Sequence, residues 1–325
     1  MATVRAVVAT AAGGPEVLEV QDRDDPSPAT GQLLVDVAAA GVNFMDIYGR
    51  EGRRPYAGTP PWVPGAEGAG TVSAVGEGVS GFSVGDLVAW ASAPGSYAQR
   101  VVVDAGRAVH VPPGVGAERA AAVMLQGITA HYLCHSTYPV ATGDVVVVHA
   151  AGGGVGLLLT QMVKRLGGVV VATTSGGDKE EAARRAGADH SIAYDDVGEV
   201  VRQVTGGAGA AAVYDGVGAA TFDASLAALR RRGVLVLYGA ASGPVPPLEL
   251  TRLMTGGSLY ITRPTMGDYI ATREDLDWRA GDLFGWVADG SLTVSVGGRY
   301  PLDAAASAQE DLARRRTSGK LLLLP

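Results

Sequence analysis

The sequence predicts an α/β protein of two domains, an antiparallel barrel-like β-domain followed by a doubly wound parallel-sheet domain. Three observations carry that prediction. Up to about Val123, short apolar stretches are punctuated by glycine and proline; from Asp144 onward, apolar strands alternate with helical stretches. The chain has 325 residues, beyond the ~250 to 300 at which a single core usually stops growing. With 47% hydrophobic and 18% charged residues a large core is feasible, and disorder is excluded as a main theme.

In the first domain "LLVDVAAAGV", "GAGTVSAVG", "DLVAW" and "YAQRVVV" read as strands, because alternation and turn residues at this density suit antiparallel pairing. A Pro-Gly turn at Pro113 and Gly114 precedes "GAERAAAVMLQGITAHYLCH", which is alanine-rich and helical. In the second domain strands are expected at 145–149, 169–173, 190–193, 211–214 and 234–238. Between them "GLLLTQMVKRLG", "DKEEAARRAG", "VGEVVRQVTG" and "FDASLAALRRRG" read as helices. Nearly continuous apolar strands separated by amphipathic helices imply a parallel sheet covered on both faces. From about Gly267 a further helix is expected, and "KLLLLP" could return as a strand to the first domain. The expected boundaries are therefore 1–124, completed by 267–325, and 125–266.

No stretch approaches the ~18 consecutive apolar residues of a membrane span, and the N-terminus lacks the pattern of a secretory leader. The expectation is a cytoplasmic protein. Cys134 is the only cysteine, which rules out an internal disulfide and any zinc site of several thiolates. His131 and His135 have helical i, i+4 spacing, but no H-E-x-x-H glutamate accompanies them, so a structural or surface role is expected. A net charge of −7 argues against a nucleic-acid partner. Of the two basic runs, "LRRRG" at 229–233 reads as the C-terminal end of a helix before a glycine, and "ARRRTSGK" lies at 313–320.

The stretch "VVVVHAAGGGVG" at 145–156 places a glycine-rich loop between an apolar strand and a helix. That is the setting of the dinucleotide fingerprint G-x-G-x-x-G, here Ala151-x-Gly153-x-x-Gly156 with Gly154 and Val155 between the last two glycines. Gly153 lets the backbone approach a pyrophosphate, Gly156 lets the helix pack on the sheet, and the helix N-terminus offers free N–H groups to the phosphates. Ala151 costs little if that residue need not have positive φ. The identity of the dinucleotide rests on the end of the next strand, "VVVATTSGGDK". An acidic residue there would bind the ribose hydroxyls of NAD and repel a 2′-phosphate. The strand ends in Thr174 and Ser175, with Lys179 following, which favours NADPH. Asp178 dissents, and could equally cap the next helix.

With these residues in hand the chain resembles the zeta-crystallin type of quinone oxidoreductase, within the medium-chain dehydrogenase/reductase superfamily. "GDVVVVHAAGGGVGLLLTQMVK" is similar to that group's signature, Gln161 and Lys164 included, with Val147 where a leucine is usual. "GVNFMDIYGREG", "VPGAEGAGTVSAVGEGVSGFSVGDLVAW", "YDGVG", "SLYITRPT" and "GKLLLLP" follow in the expected order over nearly the full length. The resemblance implies a GroES-like β-barrel catalytic domain, a Rossmann NADPH-binding domain and an active site in the cleft between them. It also implies the branch without a metal, because the chain has "GVNF" and "GAEG", with Ala66 in the place of the metal-dependent members' histidine.

Carried over by resemblance, Asn43 and Tyr48 would lie by the nicotinamide and substrate, and Ser175, Lys179 and Tyr194 would surround the 2′-phosphate. Tyr238 and Ser242 would line the nicotinamide side, and Arg315 matches a cofactor-contacting arginine. Gln126 stands where a relative has lysine, beside the nicotinamide ribose; a glutamine can still hydrogen-bond there. The implied reaction is hydride transfer from C4 of NADPH to a quinone, with the Tyr48 hydroxyl and Asn43 amide as candidate donors to the carbonyl oxygen. Read from residues alone, Tyr48 could instead be a packing residue and Asn43 a turn residue. Reduction of an enone or enal, or tailoring of an aromatic polyketide, would leave the same sequence. A crystallin-like structural role or RNA binding would not need Gly153, Gly156, Ser175 and Lys179 together. The segment 258–263, "SLYITR", would lie at a sheet edge and, by the resemblance, pair across the axis of a homodimer.

Overall fold

The computed structural model describes residues 2–325; Met1, where the first domain was expected to begin, lies outside them. The chain divides into two compact units, residues 1–125 with 272–325, and residues 126–271.

Along the first unit run β1 (Thr3–Ala9), β2 (Leu18–Asp24), β3 (Gln32–Val42), the short α1 (Phe44–Arg50), β4 (Gly68–Val75), β5 (Leu87–Trp90), β6 (Arg100–Asp104) and β7 (Val109–His110). α2 (Ala117–Tyr132) follows, and the division between units falls inside it. The second unit continues with β8 (Val145–Val148), α3 (Gly154–Arg165), β9 (Val169–Thr173), α4 (Asp178–Arg185), β10 (His190–Ile192) and α5 (Val197–Val204). Next come β11 (Ala210–Asp215), α6 (Phe222–Ala227), β12 (Leu229–Leu237), α7 (Thr251–Thr255), β13 (Tyr260–Thr262) and α8 (Met266–Tyr269). The chain then returns to the first unit with α9 (Arg273–Ala288), β14 (Val296–Pro301), α10 (Ala305–Ala313) and β15 (Lys320–Leu324).

In the first unit β3 is the hub, pairing antiparallel with β4, β6 and β15. Paired on several sides, it is buried along most of its length, so its sequence reads as an apolar run and not as a clean alternation. The "KLLLLP" stretch does return as a strand: Leu321 lies opposite Val42 and Leu323 opposite Ala40. Leu321, Leu322 and Leu323 are essentially inaccessible, each burial contributing about 1.5 to 3 kcal/mol. The hairpin of β1 and β2 is an addition the sequence pattern did not single out.

In the second unit the strands are all parallel, in the order β10-β9-β8-β11-β12-β13. The order reverses direction between β8 and β11. In open parallel sheets that switch point opens a crevice beyond the C-terminal strand ends, and the glycine loop leaves β8 there.

One expected helix is corrected. The stretch 222–233 is not helical throughout: α6 ends at Ala227 and Leu229 opens β12, with Leu229 opposite Ala210. The pairing of a buried Leu229 beside β11 overrides the helical propensity of "LAALRRR". Arg230, Arg231 and Arg232 are therefore exposed residues of a strand, and Arg232 takes φ 60° where the register shifts. Arg230 pairs with Asp144 at 3.3 Å. In the other basic run Arg314 pairs with Glu310 and Arg316 with Asp311, so its charge is largely internal.

Candidate active site

The glycine loop is built as a cradle. β8 ends at Val148, and the turn's left-handed alanine is Ala150, φ 53°, not Ala151. Ala151 is buried, and its N–H donates to the Thr173 carbonyl at 3.0 Å. This is why an alanine can stand where the fingerprint has its first glycine. A Cβ on Gly156 would lie 2.6 Å from the Ala150 oxygen and from the Ala151 Cα, so this glycine is required by close packing of backbone on backbone. At Gly153 a Cβ would meet nothing nearer than 3.2 Å, and φ is −87°. The Ala150 oxygen would have to give by a few tenths of an ångström, a far weaker demand than at Gly156. Gly153 is the N-cap of α3, and no side chain caps the helix, which leaves the first-turn N–H groups of Gly154, Val155 and Gly156 to an outside acceptor. The residues present thus fit the pyrophosphate of a dinucleotide.

Lys179 stands beside this loop. A Cβ on Gly152 would come within 2.7 Å of the Lys179 Cβ, so the lysine stem packs on the loop backbone. Ser175 is exposed just past β9, and Gly176 and Gly177 both take positive φ before α4. Asp178 is not the helix cap. Gly177 holds that position, and Asp178 is the first residue of α4, where its charge suits the helix dipole. Tyr194, in a short 3₁₀ turn after β10, stacks on His149 with ring centroids 5.8 Å apart.

His149 also belongs to a buried network that the sequence reading missed. Its Nδ1 lies 2.9 Å from the Thr173 hydroxyl and its Nε2 3.0 Å from the Ser225 hydroxyl. Ser225 and Thr221 donate to one oxygen of Asp215, and the N–H groups of Val217 and Gly218 donate to the other. Burial pushes the His149 imidazolium down, against the pull of Asp215, which favours the neutral ring. The network ties together the C-terminal ends of β8, β9 and β11, the strands around the switch point. The quoted motifs held His149, Thr173 and Asp215 in separate stretches, "VVVVHAAGGGVG", "VVVATTSGGDK" and "YDGVG", without linking them.

Tyr238 follows β12 and packs on Gly216, where a Cβ would lie 2.8 Å from its ring. Desolvation raises its pKa. The Ser242 hydroxyl is committed to the neighbouring turn, donating to the Val217 carbonyl at 2.8 Å and accepting from the Ala220 N–H at 3.0 Å. Gln126, on α2, is buried against the start of α3: a Cβ on Gly154 would lie 3.2 Å from its Cγ. The structure therefore gathers Ala151, Gly153, Gly154, Val155, Gly156, Lys179 and Gln126 around one loop.

Asn43, Tyr48 and Arg315 belong to the other unit. Arg315 is an exposed residue with φ 56° just beyond α10. Tyr48, partly exposed on α1, packs against Phe44 and Tyr56, with the Arg53 guanidinium 5.3 Å from its ring centre. Asn43 is buried at the N-cap of α1. Its Nδ2 donates to the Gly41 carbonyl at 3.2 Å and to Glu67 Oε1 at 3.0 Å, and its Oδ1 accepts from Lys320 Nζ at 2.9 Å. The amide donors named above as candidates for a substrate oxygen thus point into the protein.

Glu67 and Lys320 form a fully buried ion pair, and the second Glu67 oxygen accepts from the Leu125 N–H at 2.7 Å. Beside them Asp46 Oδ2 accepts from the Asn43 N–H at 2.9 Å and from the Tyr97 hydroxyl at 2.8 Å. Desolvation pushes the Asp46 carboxyl up to about 6, partly offset by those hydrogen bonds, and pulls the Lys320 ammonium well down. Sequence reasoning quoted "GAEG" and "GKLLLLP" without assigning Glu67 or Lys320; a glutamate between glycines and a lysine heading an apolar strand were the available signals. Among the described residues no group of three or more His, Cys, Asp or Glu is placed to hold a metal ion. His131 and His135 stack on each other with centroids 4.1 Å apart.

Residues 29–113 match the family described as alcohol dehydrogenase GroES-like domain, and residues 154–280 the family described as zinc-binding dehydrogenase. A quinone oxidoreductase of Pseudomonas aeruginosa is 43% identical over 316 residues, covering 96% of this chain and 97% of that protein. The chain belongs to the quinone oxidoreductase family. It lies in the medium-chain dehydrogenase/reductase superfamily, with the GroES-like and Rossmann-type domains of that group. A solved mycobacterial relative complexed with NADPH superposes with a TM-score of 0.95 at 48% identity, covering 99% of this chain and all of that one. A 2-haloacrylate reductase from a Burkholderia species is 39% identical over 330 residues, covering 99% of each chain. Within the family, the sequence-quoted motifs account for the glycine loop, and the buried Glu67–Lys320 pair ties the residue before β4 to the first residue of β15, two strands that flank β3 on opposite sides. Among the described residues no helix is long and apolar enough to cross a membrane.

Proposed function

We propose that this protein is an NADPH:quinone oxidoreductase, acting without a metal ion. The observation that carries the reading is the position of Lys179, packed on Gly152 of a capless, glycine-lined helix N-terminus. With Ser175 and no carboxylate at the end of β9, that arrangement offers a cation and a hydroxyl to a 2′-phosphate. Gly153 and the amides of Gly154 to Gly156 would hold the pyrophosphate, Tyr194 would flank the adenosine phosphate, and Tyr238 and Gln126 would hold the nicotinamide end. Arg315 would add a further cofactor contact.

Bound NADPH would supply a hydride from nicotinamide C4. The protein's part is to orient the acceptor and to meet charge developing on its carbonyl oxygen. The Tyr48 hydroxyl is the donor for that charge. Asn43, whose amide is engaged with Gly41, Glu67 and Lys320, holds the start of the helix that carries Tyr48.

A second reading has a specific observation behind it. Likeness to a 2-haloacrylate reductase over 99% of the chain favours a conjugated acid, enone or enal as the acceptor. NADPH consumption measured against benzoquinone, phenanthrenequinone, an enone and 2-chloroacrylate, with NADH in parallel, separates the two. Turnover confined to the enone or the haloacrylate would replace the quinone reading, and preference for NADH would overturn the cofactor assignment.

The assembly we propose is a homodimer through 258–263, in the cytoplasm, where a small-molecule acceptor and NADPH are its only other partners. β13 is the edge strand of its sheet, and Leu250, Met254 and Tyr260 near it are 76%, 67% and 56% exposed. An apolar, unpaired edge of this kind invites a symmetric copy. Ser258 enters the edge at φ 58°, and the Arg263 guanidinium leaves it to donate to the Gly239 carbonyl. A monomeric mass by light scattering at micromolar concentration would remove the assignment.

A further inference from the structure

The buried groups behind Asn43 are more extensive than a helix cap requires. A carboxylate and an ammonium, Glu67 and Lys320, have been taken out of water 253 residues apart in sequence. Such pairs offset their desolvation only with excellent geometry and additional hydrogen bonds. Glu67 Oε1 and Lys320 Nζ hold the two ends of the Asn43 amide, at 3.0 and 2.9 Å, and Glu67 Oε2 holds the Leu125 N–H, the residue before Gln126. Gly41 makes room for the assembly, since a Cβ there would fall 2.5 Å from the Lys320 Cε and closer still to Glu67.

Asn43 opens α1, which has only seven residues, with Tyr48 on its second turn. A helix that short has little stability of its own; Ile47, Gly49 and Arg50 are buried at its far end, and a separate hold fixes its first turn. That hold is the Asn43 side chain on the ion pair and the Asn43 N–H on Asp46, which is in turn fixed by Tyr97.

We propose that Glu67 and Lys320 are positioning residues for the reaction: the pair clamps the Asn43 amide and so fixes the place of Tyr48. The inference rests on the reading of Tyr48 as the donor to the acceptor's carbonyl oxygen. Displacing a reacting group by about 1 Å can cost up to 10²-fold in rate, and the hold on Asn43 can be loosened while the Glu67 bond to the Leu125 N–H stays in place.

The test is a mutant cycle on kcat for quinone reduction, with the NADPH dissociation constant measured alongside by fluorescence titration. The neutral pair Glu67→Gln with Lys320→Met is combined with Tyr48→Phe. As a milder second route Asn43→Ser keeps a good N-cap for α1 and leaves the ion pair intact while releasing its grip on the helix. Each clamp variant should lower kcat by about tenfold or more, and Asn43→Ser, which leaves the Glu67 bond to the Leu125 N–H in place, should keep NADPH affinity within twofold of wild type. In the Tyr48→Phe background the same changes should cost little further, because the group they position is gone. Lys320→Arg, which keeps the charge and the donors, should recover part of the loss relative to the neutral pair.

Wild-type kcat in folded Asn43→Ser would overturn the clamp, as would losses that multiply independently of Tyr48→Phe. If the neutral pair does not fold, Asn43→Ser alone decides. If Tyr48→Phe itself is silent, the reading of Tyr48 fails first and the clamp falls with it; if Tyr48→Phe is slow and the clamp variants are not, only the clamp fails.

Discussion

Gly153 and Gly156 are three residues apart in one loop, yet Gly156 is packed against backbone while Gly153, on the reading proposed above, faces a pyrophosphate, and exchanging each for alanine separates the two. At Gly156 the new Cβ would sit 2.6 Å from backbone atoms of Ala150 and Ala151, which cannot rotate away. Relief requires a shift of the turn or of α3, an overpacking cost of about 1 to 3 kcal/mol. At Gly153 the nearest atom is the Ala150 oxygen at 3.2 Å, a tight contact relieved by a shift of a few tenths of an ångström, and φ is −87°, so the folded protein loses less than at Gly156, about 1 kcal/mol including the poorer N-cap. On the proposed reading the methyl would crowd a pyrophosphate approaching the amides. Losing one charge-assisted hydrogen bond there costs about 1.5 to 3 kcal/mol, or roughly 10- to 100-fold in dissociation constant. Fluorescence titration with NADPH and urea denaturation of both variants read the two effects separately. Gly153→Ala should bind weakly and unfold nearly as wild type, and Gly156→Ala should unfold early. A Gly153→Ala protein that binds NADPH within twofold of wild type would refute the cradle.

Three further outcomes are expected. Lys179→Ala should raise the Michaelis constant for NADPH by roughly 10- to 100-fold and leave that for NADH nearly unchanged; equal effects on both cofactors would dismiss the 2′-phosphate pocket. Tyr48→Phe should lower kcat on the order of 10²-fold with NADPH affinity intact, and wild-type kinetics would make the tyrosine a packing residue. Asp46, held at about 6 against an ordinary 3.8, binds its proton more tightly folded than unfolded, so its contribution to stability falls as pH rises from about 4 to about 6. That difference corresponds to about 3 kcal/mol, and Asp46→Asn, which can keep the bonds from Asn43 and Tyr97, should lose the slope. Urea denaturation at several pH values gives the comparison, and identical slopes for wild type and variant would contradict the raised value.

Much of this protein is written in local chemistry. The period of the apolar residues marked the parallel strands, and β9 was placed to the residue because 169–173 is an uninterrupted β-prone run, buried from Val170 on, followed by turn residues. The glycine loop was legible because a strand, a tight turn and a helix N-terminus are neighbours in sequence.

What the chain could not announce is what depends on residues far apart in it. The end of α6 at Ala227 follows from Leu229 finding Ala210 across the sheet, a pairing that overrides three arginines which locally suit the end of a helix. Ala150, and not Ala151, takes the left-handed turn because Ala151 is tied to Thr173 of the next strand. The direction of the Asn43 amide is decided by Glu67 and by Lys320, the latter arriving on the last strand of the fold. Sequence determines periodicity and turn chemistry because these are properties of a few consecutive residues. The partners of a buried polar group are fixed only when strands distant in sequence close over it and water is no longer there to satisfy it.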